Sequence, residues 1–385
     1  MSTSTPTTPS HSTDDSRRHL RIAAEEAYAP QAVIDEYRRL LDAQGGDAGF
    51  RSLWSYYLLN RTVHTELFRS RITDLEDRRL SDMADLGIDH QVLSLATPGV
   101  ELFELPLARE LAAMTNESIA DACRRHPSRF SGLAAVALQD IDFSVKELRR
   151  AVRHLGLKGV IVNSHTRGEY LDAPKFEEFW ATAAELDVPV YLHPNTPSDG
   201  LIGPLLDAGL DGAIYGFGVE TGMHLIRIIF SGVFDRYPNL RLVVGHLGEA
   251  LPFWAFRVDH FHRVQDGTGR YPWRPSLQQP PSHYLKTNIW LTTSGMAWEP
   301  AIMFARQVAG ADRVLYAMDY PFQVAPSEVA VHENLPIEDH ERRTLFETTA
   351  CKVFGLAQPR LVEGAQVRGS GHVAGCGSPS AATGR

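Results

Sequence analysis

Residues 240–246 read LRLVVGH, residues 188–193 read VPVYLH, and residues 314–319 read VLYAMD. Each is a short apolar run that ends on one imidazole or carboxylate. A strand with one wet face alternates apolar and polar residues, whereas a near-continuous run fits a parallel strand covered on both faces. Runs of the same kind recur on either side, and strands are predicted at Arg21–Ala27, His90–Ala96, Phe130–Leu138, Leu157–Asn163, Val188–Pro194, Leu240–Gly248, Leu285–Thr293 and Arg313–Tyr320. Between them lie helical patterns, LSDMADLG at 80–87, ELRRAVRHLG at 147–156 and FEEFWATAAELD at 176–187, with Gly or Asp as stop residues. An open doubly wound sheet shares this local alternation, but eight strands favour a closed α/β TIM-type (β/α)8 barrel.

The domain is predicted over residues 20–357. The flanks, 1–19 and 358–385, are rich in Ser, Thr, Gly, Ala and Pro, lack apolar periodicity, and are predicted to be disordered tails. Two insertions break the rhythm. About 45–73 holds Trp54, Tyr56, Tyr57, His64 and Phe68, and about 260–283 holds Tyr271, Trp273 and Arg274. Long aromatic loops in a compact domain serve as site lids or subunit contacts, and both roles stay open here. A net charge of −9 argues against nucleic acid as the main partner. Cys123, Cys351 and Cys376 form no disulfide framework, and the strongest apolar run, 225–234, contains Arg227 and is too short for a bilayer. A cytoplasmic protein with no membrane role is expected.

Barrel enzymes place their chemistry at the C-terminal ends of strands. That filter selects Glu25 and Glu26 after the first strand, His193 after the fifth, His246 after the sixth and Asp319 after the eighth. Taken singly, each has a bland reading: a structural histidine, a helix-capping aspartate, a solvated glutamate. Taken together, carboxylates and imidazoles at one end of one barrel are a ligand set for a divalent ion, Mn2+, Mg2+ or Zn2+.

The segments IAAEEAY, VYLHPNTP, GFGVETGMHLIRIIFSGVFDRYPNLRLVVGHLGEALPFWAFRVDH and YAMDYPFQ resemble the amidohydrolase-related decarboxylases, among them the γ-resorcylate, 2,3-dihydroxybenzoate and 5-carboxyvanillate enzymes, from about residue 21 to about 356. The resemblance implies Glu25, His193 and Asp319 as metal ligands, with Ala27 standing where many relatives carry a further histidine. It implies His246 as a catalytic histidine partnered by Glu249, Arg257 as a substrate- or interface-facing arginine, and Phe322 beside the substrate ring. Arg71 and Arg78 are candidates to grip a second polar substituent. His165, Asn195, Thr196 and His224 are weaker candidates, with His165 and His224 read as structural.

The activity so implied is metal-dependent, non-oxidative decarboxylation of an ortho-hydroxylated aromatic acid, with Asp319 donating a proton to the ring carbon. Two alternatives stand beside it: a lactonase-like hydrolase using metal-activated water, and a barrel that has lost activity and only binds. A small aromatic acid is the expected partner, in a homodimer or homotetramer.

Overall fold

The computed structural model describes residues 19–357; the predicted tails lie outside the described residues, apart from His19 at their edge. Eight strands alternate with helices: β1 (Ile22–Tyr28), β2 (His90–Leu95), β3 (Phe130–Gly132), β4 (Val160–Asn163), β5 (Val190–His193), β6 (Leu242–Val244), β7 (Ile289–Thr292) and β8 (Val314–Leu315). Every residue in them is buried, the polar ones included, as strands covered on both faces require. The ladders are parallel, β1-β2-β3 and β4-β5-β6-β7-β8. Two seams close the ring. Ala134 pairs with Val160 between the third and fourth staves. Between the eighth and the first, Ala24 N–H donates to Tyr316 O (3.0 Å) and Ala27 N–H to Tyr320 O (2.7 Å). The fold is a closed TIM-type barrel.

The two-residue period of a strand sorts its side chains. Val190, Leu192, Leu242, Val244, Ile289 and Leu291 point outward into one core with the helices, while Tyr191, Val243, Trp290 and Leu315 share a second core inside the barrel. By the same count His193 and Thr292 face inward, at its upper rim.

Several strands are shorter than their apolar runs. Leu285–Thr287, predicted as strand, ends the helix Pro281–Thr287 instead; a short buried run reads the same in either state, and the proline pair at its start favours the helix. The ladder predicted to Leu138 stops at Gly132, because the Asn116 amide then takes both backbone groups of Ala135, accepting from its N–H (2.7 Å) and donating to its carbonyl (2.9 Å). Beyond Leu315, Ala317 N–H donates to Thr293 Oγ1 (3.1 Å) and Met318 N–H to Glu26 Oε1 (3.0 Å). Side chains replace strand partners where the rim begins.

The first insertion forms helices Ala48–Leu59 and Val63–Ile72. It lies over the mouth, with Phe68 and Tyr57 against Phe322 at ring-centroid distances of 5.0 and 5.6 Å. The second follows the helix Leu251–Gln265, whose Phe253, Trp254 and Phe256 are exposed, Phe256 by 82%. Among the described residues no helix is long and apolar enough to cross a membrane.

Candidate active site

In a regular strand an inward Ala24 would be followed by an outward Glu25, yet Glu25 meets the inward-facing Thr292. A bulge resolves this: the β1–β2 register shifts between Ala23 and Glu26, so three steps on β1 match two on β2. Glu26 turns into the wall, accepting from Met318 N–H and from Gln91 Nε2 (3.0 Å each). Burial pushes its carboxyl up to about 8. Glu25 turns into the mouth. Its Oε2 accepts from three hydroxyls, those of Tyr191, Thr292 (2.7 Å) and Ser294 (2.5 Å). Its Oε1 is buried without a hydrogen-bond partner, 3.3 Å from His193 Nε2 and 3.9 Å from His246 Nε2.

His193 Nδ1 lies 2.8 Å from the Pro194 carbonyl. Only a protonated Nδ1 can donate there, which leaves the Nε2 lone pair aimed at Glu25. His246 opens an unusual turn. After Val244 the chain does not continue as predicted strand; His246, Leu247, Gly248, Glu249 and Ala250 all have φ between 49° and 77°. This left-handed turn sets Glu249 Oε1 3.0 Å from His246 Nδ1, a close ion pair rather than an aligned hydrogen bond. Close approach by the helix Gly216–Phe230 permits it: a Cβ on Gly222 would stand 3.0 Å from Glu249 O. On the other side, His246 Nε2 lies 3.9 Å from Asp319 Oδ2. Asp319 is itself left-handed, at φ 68°.

Burial disfavours charge on all three groups, but they settle differently. The His246 imidazole is held well above its usual range, because the carboxylates of Glu249, Glu25 and Asp319 outweigh desolvation. Desolvation likewise pushes Glu25 up, but the His246 and His193 rings and the hydroxyl donors bring it below the ordinary range. Asp319 stays raised: burial exceeds the pull of His246, and the Glu25 charge adds to it. One carboxylate is kept ionised and its neighbour biased toward the acid form, the division of labour that acid–base chemistry uses.

These donors fit a divalent cation. Glu25, His246 and Asp319 each offer a ligand atom within 4.8 Å of the others, with His193 Nε2 alongside and a bare carboxylate oxygen in the centre. Next to them a cavity of ≈ 660 Å³ has His246, Glu249 and Asp319 in its lining, with Phe217, Phe253, Trp254 and Met296 as apolar wall. Its size and character suit a small aromatic ligand.

Of the residues expected from sequence, Glu25, His193, His246, Glu249 and Asp319 come together here. Phe322 lies close by, under the first insertion. Arg71 and Arg257 do not join them. Arg71 donates to Asp82 (2.7 Å), which also accepts from Tyr320 and approaches Arg78 at 3.5 Å. Arg257 is exposed, its guanidinium 4.8 Å from the Phe261 ring centre. His165 accepts from Gly168 N–H at Nδ1, so Nε2 donates to Thr196 O (3.1 Å). The Asn195 side chain accepts from Thr97 Oγ1 and Thr196 N–H. His224 is buried between Ser164 and Leu171 N–H and pushed down to about 3 by desolvation.

Sequence reasoning missed Tyr191, Thr292 and Ser294. The signal was present: Tyr191 precedes His193 by one strand period, and Thr292 and Ser294 are one period apart. Tyr57 was seen only as part of an aromatic loop. Its ring lies 5.6 Å from that of Phe322, and burial and then the Asp319 charge push its phenol up to about 12.

Comparison with known proteins agrees with this geometry. Residues 63–356 match the amidohydrolase family. A γ-resorcylate decarboxylase of Polaromonas is 36% identical over 299 residues, 75% of this chain and 90% of the relative. A crystal structure of 5-carboxyvanillate decarboxylase from Novosphingobium aromaticivorans, with bound manganese and 4-hydroxy-3-methoxy-5-nitrobenzoic acid, superposes with a TM-score of 0.87 at 45% identity, covering 89% of this chain and 98% of that one. A dihydroxybenzoic acid decarboxylase from Polaromonas, with manganese and 2-nitroresorcinol, gives 0.77 at 31%, covering 89% and 100%. With both family and fold matched along most of its length, the chain belongs to the amidohydrolase family, in the branch of the metal-dependent aromatic-acid decarboxylases.

Proposed function

We propose that this protein removes the carboxyl group of an ortho-hydroxylated aromatic acid without redox change, using a divalent ion held by Glu25, His193 and Asp319. The observation that carries the reading is the bare, buried Glu25 Oε1 facing the free Nε2 of His193, beside an aspartate whose carboxyl is raised. His193 is taken as the imidazole ligand because its Nε2 stands nearer the bare Glu25 Oε1, at 3.3 Å against 3.9 Å for His246, whose Nδ1 is already engaged by Glu249. Two carboxylates and one imidazole suit manganese, the ion in the neighbouring structures.

The ion supplies positive charge that orients the substrate carboxylate and phenolate. The residues supply the rest. Asp319, whose carboxyl burial holds above its ordinary value, is the group placed to deliver a proton to the ring carbon that bears the carboxylate. The carbon–hydrogen bond forms, the carbon–carbon bond breaks, and its electron pair restores the aromatic ring as carbon dioxide leaves. His246, fixed by Glu249, stabilises the negative charge left on Asp319. The apolar cavity wall offers the ring its contacts, with the Tyr57–Phe68–Phe322 cluster beside the site. The relatives compared above are decarboxylases, which weighs against the hydrolase alternative.

A homo-oligomer is proposed from the exposed aromatic face of the helix Leu251–Gln265, since apolar patches of this kind mark contact surfaces. Carbon dioxide release is the test, with manganese-loaded protein offered 5-carboxyvanillate, 2,6-dihydroxybenzoate, 2,3-dihydroxybenzoate and salicylate. Release from one or more, lost in Asp319→Asn while manganese stays bound, supports the reading. Bound manganese with no release from any member, and turnover of lactones instead, overturns it.

A further inference from the structure

Ser294 Oγ is used in both directions. It donates to Glu25 Oε2 at 2.5 Å and accepts from His246 N–H at 3.2 Å. That N–H begins the left-handed turn His246–Ala250. Four of its five residues carry a Cβ, which makes left-handed backbone costly for them. From within, the turn is tied by Gly248 N–H to Gly245 O (2.8 Å). Thr292 provides an internal comparison: its hydroxyl also donates to Glu25 Oε2 (2.7 Å), yet it makes no hydrogen bond to the turn. Both side chains are fully buried.

We propose that Ser294 is a positioning residue that couples filling of Glu25 Oε1 by the cation to order in the His246–Ala250 turn. Glu25 Oε1 has no hydrogen-bond partner, and the His246 ring, 3.9 Å away, can draw the carboxylate out of place. Committing Oε1 to a cation pins the carboxylate, so Oε2 holds Ser294 in the rotamer that receives His246 N–H. The strained turn is thereby held, and with it the His246–Glu249 pair. In this arrangement the metal centre and the histidine are assembled together, with one hydroxyl between them. The inference rests on the proposed metal role of Glu25; it needs no particular substrate.

Manganese binding, followed by the electron paramagnetic resonance of free Mn2+, and hydrogen exchange of the peptide spanning 245–251 test it together. In wild type, saturating manganese slows exchange of this peptide at least tenfold. Thr292→Val weakens manganese binding about tenfold but reaches the same protection at saturation. Ser294→Ala weakens binding to a similar degree and gains no protection at saturating manganese. If it does not fold, Ser294→Cys, with its weak donor and acceptor, should show the same loss in part. Full protection in the serine variant, or none gained by wild type on binding manganese, overturns the coupling. No manganese binding by wild type overturns the metal reading as well.

Discussion

Glu101 is buried in the loop after β2, and its Oε2 has no hydrogen-bond partner. Desolvation pushes its carboxyl from 4.5 up to about 8. A folded value above the unfolded one means the folded chain holds the proton more tightly. Its stabilising contribution is therefore full below about pH 4.5 and is lost as pH rises through about 8, at roughly 1.4 kcal/mol per unit. Chemical denaturation at pH 6 and pH 8 checks this: wild type loses stability across the interval, and Glu101→Gln loses markedly less. The same scale holds a sharper prediction for Glu249, whose carboxylate faces His246 and not Glu25. Glu249→Gln should lower kcat about 10- to 100-fold with manganese affinity changed less than threefold, since the outer partners of site histidines contribute on that order; an equal loss of metal binding would refute the assignment. These two residues also show what a sequence reveals at this scale. Glu249 was legible because it stands three residues after a rim histidine. Glu101 was not, because nothing in TPGVELFE tells which carboxylate the loop buries. Arg71 and Arg257 were read by type, and a guanidinium's partner (Asp82 for the one, the Phe261 ring for the other) depends on chain far away or on a helix face.

At the scale of elements, the strands were legible, but several of their ends and the turns that follow them were not. VPVYLH and LRLVVGH announce buried parallel strands by composition alone, and the pleat then decides that His193 and Tyr191 share a face. Nothing local announces five left-handed residues after Val244, because the tertiary setting forces that conformation: Ser294, two residues past β7, ties its first N–H, and the glycines of the helix Gly216–Phe230 make room for it. Gly222→Ala tests the fit. The substitution favours the helix by about 1 kcal/mol but places a methyl 3.0 Å from Glu249 O. We expect kcat to fall roughly tenfold or more as the turn shifts, with the melting temperature moved by only a few degrees. Unchanged turnover would show that the helix has slack there. The bulge in β1 was equally invisible, since EE in a strand reads as one inward and one outward carboxylate until the register is known.

For the whole molecule, the closed ring leaves the strands no free edge, and exposed apolar surface concentrates on the helix Leu251–Gln265, with Trp273 and Trp298 also exposed. Phe256→Glu should shift the protein to a smaller species in light scattering without loss of bound manganese. A change in metal content with no change in size would sever that face from assembly. The ring also has a consequence in time. Met318 N–H and the Glu26 carboxylate it meets are separated by 292 residues, and the seam where the first stave joins the last runs beside Glu25 and Asp319. A ribosome therefore releases one half of the cation's cradle long before the other. Until the last strand docks, Glu25 stands without Asp319 beside it. If the proposed ligands hold the ion, the complete site forms only in a chain that has reached Asp319 and closed the ring.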